Sequence, residues 1–167
     1  MPRVTACVSV LNQPDLLRGT LKSIQNQTFK DWECIVVDDG STVPIEPVVK
    51  EFKDERFIFH RFPVNKGIPF GANYAYKKAK GDYIQALGCD EFIHTTKFED
   101  QVSYLDAHPD ISCIWGVPGN GPMGPVPMWE QYELKSHNRS REHWLKCFLN
   151  LEGIPIGGAS ALWRKSL

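Results

Sequence analysis

Polar and acidic side chains follow four separate strand-like runs of this sequence. The side chains at these run ends are Asn12, the pair Asp38-Asp39, Lys66 within Asn65-Lys66-Gly67, and the pair Asp90-Glu91. In an open parallel sheet the carboxyl ends of the strands share one edge, and ligands bind in the crevice outside it. We therefore expect these side chains to line one site. Its four acidic residues would need a cation or a ligand rich in hydrogen-bond donors.

The elements that would position these residues alternate between β-branched runs and helical spacing. Strands are predicted at 4–11, 32–37, 57–62, 83–87, 111–117 and about 159–164, and helices after Pro14, around 48–52, around 74–79, at 96–107 and at about 141–149. Gly81 is the expected C-cap of the third helix. Such alternation predicts an α/β fold with a mainly parallel sheet and helices on both faces. Residues 116–127 are rich in Gly and Pro, which predicts an exposed loop.

Length and composition narrow the function classes. The chain has 167 residues, about one domain. Its 19 basic and 20 acidic residues include no dense basic block, so a nucleic-acid partner is not expected. The apolar runs are too short to span a bilayer and the first residues lack the apolar core of a signal peptide, so we expect a soluble domain. The five cysteines are widely spaced, without zinc-site pairs, which predicts reduced thiols and a cytoplasmic location.

The turn after the first strand lacks the residues of the common phosphate-binding loops. It reads Leu11-Asn12-Gln13-Pro14, so the G-x-G-x-x-G fingerprint of dinucleotide folds is missing, and no Walker lysine motif occurs elsewhere. A diphosphate bound here would need another source of positive charge. A divalent cation held by a carboxylate is the usual alternative, and Asp90 is the expected holder of Mn²⁺ or Mg²⁺.

Five short segments, in this order and spacing, carry a resemblance to a known family. They are Val8-Ser9-Val10-Leu11-Asn12-Gln13-Pro14, Asn26-Gln27-Thr28-Phe29, Val36-Val37-Asp38-Asp39-Gly40-Ser41, Asn65-Lys66-Gly67, and Ala79-Lys80-Gly81-Asp82-Tyr83-Ile84. Together they resemble the inverting family-2 glycosyltransferases with the GT-A fold, a Rossmann-like domain. The resemblance covers about residues 4–110.

The resemblance implies roles for particular residues. Asp39 would accept a hydrogen bond from the nucleotide base or ribose, Asn12 and its neighbours, such as Leu11, would line the base pocket, and Lys66 would lie near the base or the phosphates. Asn73 matches an asparagine of the family, and residues 154–167 resemble the segment that shapes the donor-sugar and acceptor pocket. Gly88-Cys89-Asp90 stands where the family has an Asp-x-Asp metal motif, which places Asp90 on the metal and Cys89 in the nucleotide-sugar site.

Each of these positions also has a structural interpretation. Asp38 and Asp39 could instead shape a turn or cap a helix, Asp90 could be a cap only, and Asn73 could be solvated. Gly88 stands where the family's first metal-motif carboxylate would be, and Glu91 is a possible extra ligand.

The implied activity is inverting transfer of a sugar from a nucleoside-diphosphate sugar, UDP- or dTDP-linked, to a saccharide or lipid-linked acceptor. It allows peripheral membrane association through regions beyond this sequence. The family's general base is expected after Arg164-Lys165, so we expect residues 1–167 to be a single GT-A domain cut short at its C-terminal end. Glu130, Glu133, Glu142 and His143 are the other available bases, and the catalytic residue stays unassigned.

Two other functions remain open at this point. A non-catalytic domain that binds a nucleotide sugar or glycan within a larger protein is favoured by Gly88 and by the missing base. A nicotinamide dehydrogenase would also place an acidic residue at the end of the second strand, but the glycine fingerprint it needs is absent.

Overall fold

A computed structural model describes residues 1–115 and 161–166 of the chain. The strands are β1 (Val4–Val10), β2 (Trp32–Asp38), β3 (Phe57–Arg61), β4 (Tyr83–Gly88), β5 (Cys113–Trp115) and β6 (Ala161–Arg164). The helices are α1 (Pro14–Gln25), α2 (Glu46–Glu51), α3 (Ile68–Lys78) and α4 (Lys97–Ala107). The predicted Gly/Pro loop at 116–127 and the predicted helix at 141–149 lie outside the described residues.

The six strands form one sheet in the order β3-β2-β1-β4-β6-β5. The first four strands are parallel to one another, whereas β6 is antiparallel to both β4 and β5. From β1 the chain moves outward to β2 and β3, and then returns to place β4 on the other side of β1. The strand order therefore reverses between β1 and β4, and this reversal marks the ligand-binding crevice of open α/β sheets.

Helices cover both faces of the sheet, as the sequence predicts. Alternate residues of a strand point to opposite faces, so Ala6 and Val8 of β1 join one core cluster and Cys7 joins another. The first cluster includes side chains of α1, α2 and α4, such as Leu17, Val48 and Phe98. The second includes Ala75 of α3. Thus α3 is the described helix that covers the second face.

The prediction that Gly81 caps α3 is wrong. The helix ends at Lys78, and Ala79 is its C-cap with φ −56° and ψ 134°. Gly81 lies against β1 instead, where its N–H donates to Thr5 Oγ1 at 2.9 Å. A Cβ at position 81 would come within 2.6 Å of the Thr5 nitrogen. The small residue is therefore needed for close contact between two backbone segments rather than for ending a helix.

The strand boundaries differ from the sequence prediction by one or a few residues. β1 ends at Val10 because Asn12, with φ 56°, already turns the chain. β2 extends to Asp38, which pairs with Arg61 of β3. β5 begins at Cys113 rather than at 111, since the chain leaves α4 through the turn at 108–111.

A charged network closes the opposite, amino-terminal edge of the sheet beside a groove of about 630 Å³. The Arg3 guanidinium donates to both carboxylate oxygens of Asp106 at 2.8 Å, and this contact lowers the pKa of Asp106 to about 2. Tyr83 donates to the same carboxylate at 2.5 Å, and Arg164 donates to the Tyr83 hydroxyl at 3.0 Å. These hydrogen bonds connect β1, β4, α4 and β6. The side chains beside the groove therefore have a structural role.

Candidate functional site

A cavity of about 900 Å³ lies at the strand-order reversal, outside the carboxyl ends of β1 and β4. The wall on one side is α3, through Ile68, Ala72, Asn73 and Tyr76. Five of the seven site residues expected from the sequence line this cavity, namely Leu11, Asp39, Asn73, Cys89 and Asp90. They follow β1, β2 and β4 in the chain or lie on α3. This is the crevice in which ligands of open α/β sheets bind. Asn12 and Lys66 are not among its lining residues.

Asp39 is bound to the turn that follows β3. Its Oδ1 accepts the backbone N–H of Lys66 at 2.8 Å, and its Oδ2 accepts the backbone N–H of Gly67 at 2.8 Å. The residue is 4% exposed. Each carboxylate oxygen can accept more than one hydrogen bond, so Asp39 still borders the cavity as an acceptor. Its main described contact is nevertheless structural, because it fixes Lys66 and Gly67 at the rim.

Gly40 allows the same two segments to touch. Its φ is +75°, and a Cβ at this position would lie 2.4 Å from the Val64 carbonyl carbon and 2.5 Å from the Asn65 nitrogen. Only glycine tolerates both conditions. The Asp-Asp-Gly-Ser and Asn-Lys-Gly motifs, which are separate in sequence, therefore form one interlocked unit.

Asn12 joins the turn after β1 to the loop after β2. Its Oδ1 accepts hydrogen bonds from the Thr42 N–H at 2.7 Å and the Thr42 hydroxyl at 3.0 Å, while its own N–H donates to Ser41 Oγ at 2.9 Å. Its positive φ of 56° suits asparagine better than most residues. The described contacts of Asn12 hold the rim in shape beside the cavity.

Asp38 has the structural role that the sequence left open for it. Its Oδ1 accepts the Ser41 N–H at 2.8 Å, which closes the turn after β2. Its Oδ2 lies 3.5 Å from Arg61 Nε, and the whole residue is buried. An acid so enclosed has no access to a ligand in the cavity.

Lys66 and Asn73 differ in their relation to the cavity. The Lys66 ammonium lies 4.7 Å from the centre of the Phe62 ring, and Lys66 is not among the residues that line the cavity. Asn73 is exposed and lines the cavity. The structure thus brings Asn73 to the cavity and places only the backbone of Lys66 at the rim through Asp39.

The end of β4 presents two carboxylates over a glycine. A Cβ at Gly88 would lie 2.7 Å from Asp90 Oδ1 and 3.3 Å from Glu91 Oε2. Glu91 Oε2 also accepts the Gly88 N–H at 2.5 Å. The space that a side chain at 88 would fill is therefore occupied by these two carboxylate ends. Glu91 turns back to the rim, as the sequence allowed, and lines the cavity with Asp90.

Cys89, between Gly88 and Asp90 in the sequence, carries a buried, protonated thiol. Its Sγ donates to Gln13 Oε1 at 2.8 Å, and burial, aided by the charge of Asp90, raises the pKa of this thiol. Burial also raises the pKa of Cys7, deeper in the cavity, to about 12. Neither thiol is a ready anion, so neither competes with the carboxylates for a cation.

Several cavity residues had no role assigned from the sequence, Tyr76 among them. Tyr76 follows Asn73 by three positions, which places both on one side of α3, so helical spacing was the available signal. Gln13, a neighbour of Asn12 as the resemblance implies for the base pocket, lines the cavity. Trp163 lies within residues 154–167, which the resemblance implies at the donor-sugar and acceptor pocket, and it reaches the cavity because β6 adds antiparallel to β4.

The carboxylates at the rim fit a hard divalent cation whose coordination is completed by a ligand. Within residues 1–115 and 161–166, no three His, Cys, Asp or Glu side chains come together as a metal site. Mg²⁺ commonly uses one or two carboxylates together with phosphate oxygens and water. The donor set of Asp90 and Glu91, placed over Gly88, matches that requirement.

The other possible bases named from the sequence, Glu130, Glu133, Glu142 and His143, lie outside the described residues. Among the helices that are described, none is long and apolar enough to cross a bilayer.

Comparison with known proteins relates this geometry to a family. The family model described as Glycosyl transferase family 2 matches residues 5–167. One curated relative is the UDP-Glc:alpha-D-GlcNAc-diphosphoundecaprenol beta-1,3-glucosyltransferase WfaP of Escherichia coli. It is 33% identical over 106 residues, which cover 64% of this chain and 42% of that protein. The chain spans less than half the length of the curated relatives it matches.

Two solved structures share the fold. S. aureus TarS 1–349 in complex with UDP superposes with a TM-score of 0.74 at 20% identity, covering 99% of this chain and 47% of that one. The mannosyltransferase PcManGT from Pyrobaculum calidifontis, in complex with GDP-Man and Mn²⁺, gives a TM-score of 0.64 at 22% identity and covers 71% of this chain and 36% of that one. At these identities the likeness confirms the GT-A fold.

Proposed function

The chain belongs to glycosyl transferase family 2, and on that basis we propose that it forms the nucleotide-sugar-binding part of a glycosyltransferase. The observation that carries the proposal is the single cavity lined by Leu11, Asp39, Asn73, Cys89 and Asp90. Its volume of about 900 Å³ suits a ligand of nucleotide-sugar size. Its position at the strand-order reversal is that of nucleotide sites in related open sheets.

The donor is proposed to lie across the crevice from β2 to β4. The base and ribose would occupy the side bounded by Leu11 and Asp39, beside the rim that Asn12 holds in shape, where the Asp39 carboxylate can accept from N–H and O–H groups. The diphosphate would lie toward Asp90 and Glu91. A UDP- or dTDP-linked sugar is the proposed donor, supported by the UDP-Glc named for WfaP and the UDP bound to TarS.

A divalent cation, Mn²⁺ or Mg²⁺, is proposed to accompany the diphosphate. Asp90 would hold it directly, with Glu91 beside it. When bound, such an ion neutralises charge that develops on a leaving diphosphate. The related fold of PcManGT was solved with Mn²⁺, which supports this choice.

The proposed reaction is an inverting displacement. The acceptor hydroxyl oxygen forms a bond to the anomeric carbon of the sugar while the bond from that carbon to the diphosphate oxygen breaks, and the hydroxyl proton passes to a general base. No catalytic base is assigned. A saccharide or lipid-linked acceptor is proposed, in keeping with the diphosphoundecaprenol-linked substrate named for WfaP.

The rival interpretation, a non-catalytic domain, is not favoured by the comparisons, since WfaP is named as a glycosyltransferase. A cytoplasmic location remains a proposal, and the free cysteines Cys7, Cys34, Cys89 and Cys113 are compatible with it.

Calorimetric titration with a panel of nucleoside diphosphates, with and without Mn²⁺, tests the proposal. We expect one diphosphate to bind and the cation to tighten its binding. If no member of the panel binds with or without cation, the donor-site assignment is wrong.

A further inference from the structure

The segment that contains α3 carries only basic charged residues, unlike the rest of the chain. Residues 61–81 hold five basic residues and no acidic ones, although the whole chain has 19 basic and 20 acidic residues and a net charge of −1. The basic residues are Arg61, Lys66, Lys77, Lys78 and Lys80. Arg61 faces the Asp38 carboxylate at 3.5 Å, so the exposed Lys66, Lys77, Lys78 and Lys80 carry the excess positive charge of this segment.

The same segment exposes large apolar side chains. Val64 is 61% exposed, Ile68 is 77% exposed and Phe70 is 62% exposed. Three of the eight large hydrophobic side chains that are exposed among the described residues thus lie within seven positions. Clustering of this kind on a folded domain marks an interaction surface.

We call the exposed side chains of this segment the α3 surface: Val64, Lys66, Ile68, Phe70, Lys77 and Lys78. Rings link its basic ends, since Lys66 lies 4.7 Å from the Phe62 ring centre, Phe62 lies 5.6 Å from the Tyr74 ring centre, and Lys78 lies 6.0 Å from Tyr74. Phe70 is one helical turn before Tyr74, so the apolar and basic groups intermix.

The chemistry of the α3 surface identifies its partner. Exposed apolar side chains enter the boundary between head groups and acyl chains, while lysines beside them attract anionic lipids. A soluble polyanion would use the lysines but would leave Val64, Ile68 and Phe70 in water. We propose that the α3 surface docks the domain onto an anionic lipid bilayer.

Docking in this orientation has a consequence for the cavity. Because Ile68 and Asn73 of α3 also line it, the cavity mouth would lie beside the lipid head groups. A membrane-bound acceptor could then approach without leaving the bilayer. The docking itself does not depend on the proposed transferase activity.

Cosedimentation of the full chain with lipid vesicles tests the proposal. We expect binding to vesicles of phosphatidylcholine mixed with phosphatidylglycerol, weakening as salt rises, and little binding to phosphatidylcholine alone. The double variant Lys77→Glu, Lys78→Glu should lower the partition coefficient at least about tenfold. Phe70→Ser should lower it several-fold.

Matched controls come from the opposite face of the sheet. Phe92 is 59% exposed and its ring lies against Gly19 of α1, so Phe92→Ser should bind vesicles as the wild type does. Lys22→Glu, on α1, is the charge control. Melting temperature, followed by circular dichroism, reports whether each variant is folded.

Four outcomes would overturn the proposal. Equal binding to neutral and anionic vesicles removes the role of the lysines and of the anionic lipid. No binding to either removes the bilayer as partner. Equal losses in Phe92→Ser and Phe70→Ser remove the α3 surface. Competition by soluble polyphosphate, with no effect of Phe70→Ser, assigns the surface to a polyanion instead. Nucleotide binding is measured separately, so failure here leaves the donor site untouched.

Discussion

Asp39 and Gly67 are 28 residues apart in the sequence, yet Asp39 Oδ2 accepts the Gly67 N–H at 2.8 Å. The second oxygen, Oδ1, accepts the neighbouring N–H of Lys66 at the same distance. One buried carboxylate thus fixes the entry to α3, and with it the wall of the cavity. The residue assigned to the nucleotide from sequence is also a structural link of its site.

Asp39→Ala is therefore expected to lower both stability and nucleotide affinity. Loss of two hydrogen bonds to a charged group should lower the free energy of unfolding by roughly 1 to 3 kcal/mol and weaken nucleoside diphosphate binding by a similar amount. Urea denaturation and calorimetry measure the two effects. Asp39→Asn keeps one acceptor, so it should lose less stability. Asp15→Ala, whose side chain is 92% accessible, is the control; unchanged affinity in Asp39→Ala would exclude Asp39 from the site.

Gly40 and Gly67 form a second comparison, because both have positive φ, +75° and +91°. A Cβ at Gly67 would meet only Pro69 Cδ at 3.8 Å, whereas one at Gly40 meets backbone at 2.4 Å. We expect Gly67→Ala to cost roughly 1 to 3 kcal/mol from backbone strain, and Gly40→Ala to cost clearly more. Urea unfolding of both variants checks the order. A smaller loss in Gly40→Ala would contradict the close contact with Val64 and Asn65.

The carboxylates after β4 predict cation dependence. Asp90→Asn should reduce the enhancement of diphosphate binding by Mn²⁺ roughly 10- to 100-fold, and Glu91→Gln by less, since its Oε2 is already bonded to the Gly88 N–H. Titrations with and without Mn²⁺ measure the enhancement, and Glu46→Gln on α2 is the control. Equal enhancement in wild type and Asp90→Asn would leave Asp90 as a cap only.

The variant Gly88→Ala should affect the cation site without destabilising the fold. Its Cβ would displace Asp90 Oδ1 and Glu91 Oε2, which are the ends of side chains and can move. Stability should stay unchanged or rise by up to about 1 kcal/mol, because alanine restricts the unfolded chain, while the Mn²⁺ enhancement falls. A loss of stability without a loss of enhancement would show that position 88 matters to the strand rather than to the carboxylates.

Lys97 predicts a dependence of stability on pH. Burial lowers the pKa of its ammonium to about 7, although Nζ donates to Gln85 Oε1 at 2.5 Å and also to Gln101 Oε1. Between pH 7 and the unfolded pKa near 10.5, the unfolded chain binds more protons than the folded one. Stability should therefore rise with pH in this window, by up to about 1.4 kcal/mol per pH unit.

Urea unfolding at pH 7 and 8 measures this rise by comparison with Lys97→Met, because thiols of the unfolded chain ionise near pH 8.5 and lower the slope alike in both proteins. Lys97→Met should show a flatter dependence, whereas Lys50→Met, on the exposed side of α2, should keep the wild-type slope. Equal slopes in wild type and Lys97→Met would mean that the Lys97 pKa is not lowered in the folded protein.

Much of the fold was predictable because its signals are local. The β-branched run of β2 and the helical spacing of Leu17, Leu21 and Ile24 in α1 reflect periodicities that one segment must satisfy by itself. Parallel strands with intervening helices then bring their carboxyl ends to one edge, so Asp39 and Asp90 could be expected at a common site from the sequence, whereas Asn73 was implied there only by the family resemblance.

Other features depend on which segments meet in space, and the sequence alone did not determine them. Nothing local distinguishes an Asp39 that binds a ligand from one that binds the amides of Lys66 and Gly67, because both need a buried acceptor. Gly81 was taken for a helix cap, since a glycine after a helix is common, until its contact with Thr5 showed why a side chain is excluded. Trp163 reached the cavity through an antiparallel pairing with β4 across 79 positions. The sequence by itself determined the secondary-structure elements, the edge of the sheet at which they present polar groups, and the family. The tertiary structure decided which of those polar groups face the cavity and which bind each other. The reason is that hydrogen bonds and close contacts form between whichever atoms packing brings together.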